Sequence, residues 1–273
     1  MAQKVKIIAD SPADLSPELI EAYDIATVPL LVTMGEETFE DGVSAQPDDL
    51  YAFYDRTKQL PKTASPSPER YIKEFEKWTS QGYAVIDFNI SSCFSASHAN
   101  ANIAATEFEE VYPIDSENLS TGIGLLVLEA AEMARAGLPA KEIAAKIHAL
   151  RDKVRASFII DNLQFLWKGG RCSGVAALGA NLLRLKPCIE VKDGRMEVGK
   201  KFRGELGTAL EHYVRTVLEG RQDICRKRVF VTHSGMADPS MIDDVVALVK
   251  KLQPFEEVLV TRAGCTWRAV YDE

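Results

Sequence analysis

Three places in the chain pair an acid or a hydroxyl with a serine just where an apolar run ends: Asp10-Ser11, Ser91-Ser92 and Asp115-Ser116. A hydroxyl beside a free backbone amide at such a junction suits an anion, either a carboxylate or a phosphate. The helix that follows adds unpaired N–H donors and partial positive charge. Ser and Asp are also favoured helix caps whatever the function, so any single pair is more simply read as a cap. The three together point toward a ligand.

Two further segments fit the same chemistry. Lys62-Thr63-Ala64-Ser65-Pro66-Ser67-Pro68 presents the hydroxyls of Thr63 and Ser65 in a loop stiffened by proline, and its plain alternative is a rigid connector. Gly169-Gly170-Arg171 sets a guanidinium beside a flexible backbone, which suits an anion or, equally, a helix C-cap with a solvated arginine.

The usual catalytic signatures are missing. The chain has no Gly-x-Ser-x-Gly elbow and no Walker loop, and Gly122-Ile123-Gly124 lacks the third glycine of a dinucleotide fingerprint. The four histidines, at 98, 148, 212 and 233, have no metal-ligand spacing. His148 and His212 fall in amphipathic helical patterns, whereas His233 ends a strand pattern and stays a site candidate. An enzyme acting on a small acyl or phosphate substrate through the strand-end serines is the rival to a binding protein. An activated serine needs a base, and none is evident for Ser91 or Ser92.

The elements that carry these residues alternate. Val5 to Ala9 reads as a strand, followed by a helix with Ser16 as cap and Pro17 in its first turn. Ile25 to Thr33 is apolar and β-branched, with a turn at Gly35 toward Thr38 to Glu40. Helices follow at Asp48 to Thr57 and Pro68 to Gln81, then a strand at Tyr83 to Ile90, a helix at Ser95 to Glu109 and a strand at Val111 to Ile114. Helical patterns at Ile123 to Ala136 and Ala140 to Val154 complete a parallel sheet with helices on both faces, where ligands lie beyond the carboxyl ends of the strands.

Past residue 155 the pattern becomes mixed α/β. Ser157 to Ile160 and a Leu/Phe/Trp-rich stretch to Trp167 precede a helix at Val175 to Arg184. An antiparallel hairpin, Lys186 to Lys192 and Met196 to Phe202, turns at Asp193-Gly194. Helices at 206–219 and Pro239 to Lys251 alternate with strands at Val229 to His233 and Glu257 to Thr261. The expected organisation is therefore an α/β domain over 1–155 and a second α/β domain over 156–273.

Composition narrows the partners. Forty acidic against 32 basic residues leave a net charge of −8, which repels nucleic acid and anionic membrane surfaces. Five widely spaced cysteines without a Cys-x-x-Cys pair read as reduced thiols. No stretch has the ~18 uninterrupted apolar residues of a membrane span, and the N-terminus lacks an apolar signal core, so a cytoplasmic location is expected.

Taken in order, Asp10-Ser11-Pro12-Ala13-Asp14-Leu15, the Lys62 to Pro68 loop, Ile90-Ser91-Ser92-Cys93-Phe94-Ser95, Asp115-Ser116 and Lys168-Gly169-Gly170-Arg171 resemble the DegV family of bacterial fatty-acid-binding proteins. The resemblance runs from residue 5 to about 265. It implies one bound long-chain fatty acid, no cofactor and no catalysis by the chain itself. Thr63 and Ser92, with Ser91 beside them and Ser65 in the same loop as Thr63, would bind the carboxylate, and Arg171 and Arg203 would lie near the acid head. It further implies a fatty acid kinase subunit as partner, which makes an acyl-phosphate for phospholipid synthesis, and transient membrane contact.

Two departures mark this chain. Ala96-Ser97-His98 stands where the family usually has Gly-Thr-Tyr, and Cys265-Thr266 is followed by Trp267-Arg268-Ala269-Val270-Tyr271-Asp272-Glu273 in place of a His-x-Gly-Pro motif and a final strand. Either the site is completed otherwise, with His233 the candidate histidine, or the acid is bound weakly.

Overall fold

The first strand, β1 (Lys4–Asp10), alternates its apolar side chains between two buried faces, and the rest of the first half is organised around it. The computed structural model describes residues 3–161, 166, 170–173, 185–235 and 238–266. The segment ending at Trp167, the helix expected over Val175 to Arg184 and the tail from Trp267 thus fall wholly or largely outside the described residues.

β1 is central in a parallel sheet of order β2 (Ile25–Val28), β1, β6 (Tyr83–Asn89), β7 (Val111–Asp115). On one face Ile8 and Val85 pack with Tyr71 and Phe75 of α3 (Pro68–Thr79) and with Ala101 and Ala104 of α4 (Ser97–Ala105). On the other, Ile7, Ala9, Ile86 and Phe88 pack with α5 (Thr121–Arg135) and α6 (Ala140–Arg151). Burying a side chain such as Phe75, fully removed from solvent, contributes about 1.5–3 kcal/mol. This double covering is why the strands read as continuous apolar runs.

Local signals set the element ends. Helix α1 (Pro17–Tyr23) starts where the Ser16 hydroxyl accepts from the Leu19 N–H at 3.4 Å, and it closes on Asp24 in the left-handed conformation. The run Ile25 to Thr33 divides into two strands, because Pro29 has no N–H to continue the ladder. β2 stays parallel to β1, while β3 (Leu31–Met34) turns away to pair antiparallel with β4 (Glu37–Glu40). Helix α2 (Pro47–Thr57) follows. The Lys62 to Pro68 segment is more than a loop: Lys62–Ala64 forms β5, with Thr63 opposite Val32 of β3.

The second half holds a sheet of order β8 (Ser157–Ile159), β10 (Leu185–Lys192), β11 (Arg195–Arg203), β9 (Cys172–Ser173). Its β10–β11 hairpin turns through Asp193 and Gly194, both at positive φ, 48° and 72°, as a tight primed turn requires. A separate parallel pair, β12 (Arg228–His233) and β13 (Glu257–Arg262), is covered by α7 (Leu206–Leu218) and α8 (Ser240–Leu252). Ile189, Val191, Met196 and Cys265 share one apolar cluster with the core of the first sheet. The Arg228 side chain, 2% exposed, pairs with Glu257 at 2.6 Å on its own sheet and with Glu132 of α5 at 2.7 Å. No helix among the described residues is long and apolar enough to cross a membrane.

Candidate functional site

Beyond the carboxyl ends of β1, β2 and β6 lies a cavity of about 280 Å³. Leu30, Ile90 and Phe94 supply carbon to its wall, while Thr63, Ser65, Ser95 and Arg171 supply hydroxyls and a guanidinium, and Thr266 joins them from past β13. A larger groove of about 370 Å³ runs between α7 and α8, but its charged residues are Glu211 and Asp244, the wrong sign for an anion.

Each strand end contributes through a defined local device. β5 holds Thr63, half-buried, opposite Val32, and among the described residues its hydroxyl has no hydrogen-bond partner. Asn100 of α4 fixes the following bend by donating to the Pro66 carbonyl at 2.7 Å and to the Ser65 hydroxyl at 3.3 Å. After β6, the Ile90 N–H donates to Asp10 Oδ2 at 3.0 Å. The Ser95 hydroxyl accepts the Ser97 N–H at 3.2 Å and lies 2.9 Å from the Ser97 hydroxyl, which turns the chain into α4.

Of the residues singled out from sequence, Thr63, Ser65 and Arg171 meet on this wall. Ser91, Ser92, Arg203 and His233 are not among its lining residues. Ser91 is fully buried: its hydroxyl donates to the Gly194 carbonyl at 2.7 Å and accepts the Cys93 N–H at 3.2 Å, so it anchors the tip of the β10–β11 hairpin. Ser92 is exposed, its N–H donating to Asp115 Oδ1 at 3.2 Å. Arg203 is exposed at the end of β11 opposite Leu185. His233 ends β12 opposite Arg262, and its Nδ1 accepts from the Gly235 N–H at 3.1 Å.

Besides the apolar wall, two polar lining residues escaped the sequence reading. Ser95 stands in the quoted Ile90 to Ser95 motif, three residues past Ser92, where the coming helix turn brings it to the cavity. Thr266 is marked in the sequence only by its place after the last strand.

Beneath the cavity lies a buried acid pair. Asp10 accepts from the Tyr71 hydroxyl at 2.7 Å and from the Ile90 N–H, while the Asn89 amide donates to Asp87 at 2.8 Å and reaches Asp10 at 3.4 Å. Burial, partly offset by these donors, pushes the Asp10 carboxyl up to about 7. Burial and the neighbouring Asp10 charge hold Asp87 well above the usual carboxylate range. The His98 imidazole, whose Nδ1 lies 3.1 Å from Asn89 Oδ1, is held below its ordinary value by burial. Among the described residues no group of three or more His, Cys, Asp or Glu side chains converges on a metal position.

The profile of the DegV family, described as uncharacterised proteins, matches residues 4–270. The chain belongs to the DegV family. A DegV domain-containing protein of Clostridium perfringens is 37% identical over 203 residues, covering 74% of this chain and 73% of that one. Among solved structures, a fatty-acid-binding DegV family protein from Thermus thermophilus superposes with a TM-score of 0.83 at 27% identity, covering 98% of this chain and 96% of that one. A stearic acid-binding protein from Eubacterium ventriosum superposes with a TM-score of 0.81 at 26% identity, covering 98% and 94%. The α/β fold with its parallel sheet and antiparallel hairpin is thus the fold of DegV proteins.

Proposed function

We propose that this DegV protein binds one long-chain fatty acid with its carboxyl end in the cavity beyond the strand ends and presents that carboxylate to a fatty acid kinase subunit, catalysing no reaction itself. The observation that carries this reading is the division of the cavity wall: Thr63, Ser65, Ser95 and Arg171 against Leu30, Ile90 and Phe94. That the related Thermus and Eubacterium proteins bind fatty acids supports it.

Enclosing some fourteen methylenes at ~0.8 kcal/mol each contributes on the order of 10 kcal/mol. That offsets the cost of association, roughly 4–15 kcal/mol. The head group needs donors, because an unpaired carboxylate in a closed site is strongly unfavourable. Thr63 offers a hydroxyl and Arg171 a permanent positive charge. Ser91 then serves the site indirectly, by fixing the hairpin tip against the end of β6. The acyl-phosphate made by the kinase would feed phospholipid synthesis in the cytoplasm, with only passing contact at a membrane.

Organic extraction of the purified protein, followed by mass spectrometry, tests this. A stoichiometric long-chain acid is the expected result. A clean extract from protein that was never delipidated would overturn the reading.

A further inference from the structure

Asp41, 3% exposed, stands outside the head-group set. Its Oδ2 accepts from the Ser11 hydroxyl at 3.0 Å, the Thr266 N–H at 3.1 Å and the Thr266 hydroxyl at 2.6 Å, and its Oδ1 accepts from the Cys265 N–H at 2.9 Å. The Asp41 N–H donates to the Leu30 carbonyl at 2.9 Å, and the Leu30 N–H donates to the Ser11 hydroxyl at 3.1 Å. One acid therefore ties together two cavity residues, Leu30 and Thr266, from opposite ends of the chain. Gly264 permits the approach: a Cβ there would stand 3.1 Å from Asp14 Oδ1 and 3.4 Å from Asp41 Oδ1.

The fate of the protons matters as much as the tie. Thr266 has two protons to donate, on its amide and its hydroxyl, and Asp41 takes both. The Leu30 N–H goes to Ser11 and the Ile90 N–H to Asp10. This wall offers a ligand carbon and lone pairs. A carboxylate has only acceptors and gains nothing there, so its pairing falls to Thr63 and its neighbours.

We propose that Asp41 is a positioning residue of the site: it holds Leu30 and Thr266 on the wall and occupies the Thr266 donors, and so directs an acid head group toward Thr63 and Arg171. This rests on the fatty acid reading above. Asp41 acts through Thr266 and has no contact with ligand of its own.

The test titrates delipidated wild type, Asp41→Asn, Thr266→Val and Thr63→Val with hexadecanoic acid and with hexadecan-1-ol. The side-chain amide introduced by Asp41→Asn can donate to the Thr266 oxygen and release the hydroxyl proton toward the cavity. The preference for acid over alcohol then rises about tenfold, because the freed hydroxyl gives the carboxylate a donor, whereas a merely loosened fold would weaken both ligands alike. Thr266→Val changes acid affinity less than about threefold, while Thr63→Val lowers it about tenfold, because Thr63 supplies a head-group donor and Thr266, its donors held by Asp41, does not. Amide exchange at Cys265 and Thr266 quickens in Asp41→Asn, with Ile90 unchanged.

An unaltered acid-to-alcohol ratio in Asp41→Asn, unaltered exchange at those two amides, or a Thr266→Val loss equal to that of Thr63→Val overturns the proposal alone. Wild type that binds no acid overturns the underlying reading, and the proposal with it.

Discussion

Asp41 and Asp87 are both removed from solvent, yet the chain surrounds them differently. Asp41 accepts four hydrogen bonds, from Ser11, Cys265 and Thr266. Asp87 accepts one, from Asn89, and its Oδ1 has no partner among the described residues. The cause is position. Asp87 lies in the middle of β6, where neighbouring amides are committed to the ladder and only side chains can solvate it. Asp41 lies just after β4 and faces the chain as it leaves β13, where amides have no ladder partner. The same side chain thus ties segments together where free amides converge, and becomes a proton-holding group where they do not.

The largest expected effect comes from stripping the well-donated acid. Asp41→Ala leaves the buried Cys265 and Thr266 amides without acceptors and should lower stability by about 3 kcal/mol or more, measured by denaturant unfolding. A loss below about 1 kcal/mol would break the contrast with Asp87.

Next comes the pH dependence of the poorly donated pair. Both carboxyls are raised, Asp10 from 3.8 to about 7, so the folded state binds protons more tightly than the unfolded chain. The contribution of each is fully present below the ordinary carboxylate value near 3.8; that of Asp10 is lost as pH rises through about 7, and that of Asp87 as pH rises through its own raised value. Asp87→Asn removes the like charge and should reduce the stability lost between pH 5 and pH 8 by about 1–3 kcal/mol. Parallel pH profiles for variant and wild type would count against the mutual repulsion of the two carboxyls.

The smallest effect belongs to the hairpin anchor. Ser91→Ala removes the bond to the Gly194 carbonyl and should cost about 1 kcal/mol in thermal unfolding, with faster exchange at the hairpin tip.

Much of the framework was legible because its causes are local or periodic. Ile7 and Ile8 point to opposite faces by strand alternation, Pro17 starts α1, and Asp193-Gly194 takes the two positive φ angles of its turn. β5 was not legible: Lys62-Thr63-Ala64 is three residues between prolines, and pairing with β3 makes it a strand. The break at Pro29 follows from its missing N–H, yet the rotation of β3 into a second sheet depends on β4 and β5.

The cavity was legible in its residue types and less so in which hydroxyls reach it. Ser91, Ser92 and Ser95 share one short motif, but Ser91 turns to a carbonyl 103 residues away, Ser92 faces solvent, and Ser95 meets the cavity at the start of α4. Thr266 owes its place to Asp41, 225 residues earlier, a tie that no local pattern announces.

The most direct measurement is calorimetric titration of delipidated protein with octadecanoic acid, wild type beside Thr63→Val. A cavity that pairs the acid head at Thr63 gives saturable one-to-one binding that the variant weakens about tenfold, with the melting temperature of the unliganded protein unchanged. Absence of saturable binding by the wild type, or equal affinity in the two proteins, would contradict it.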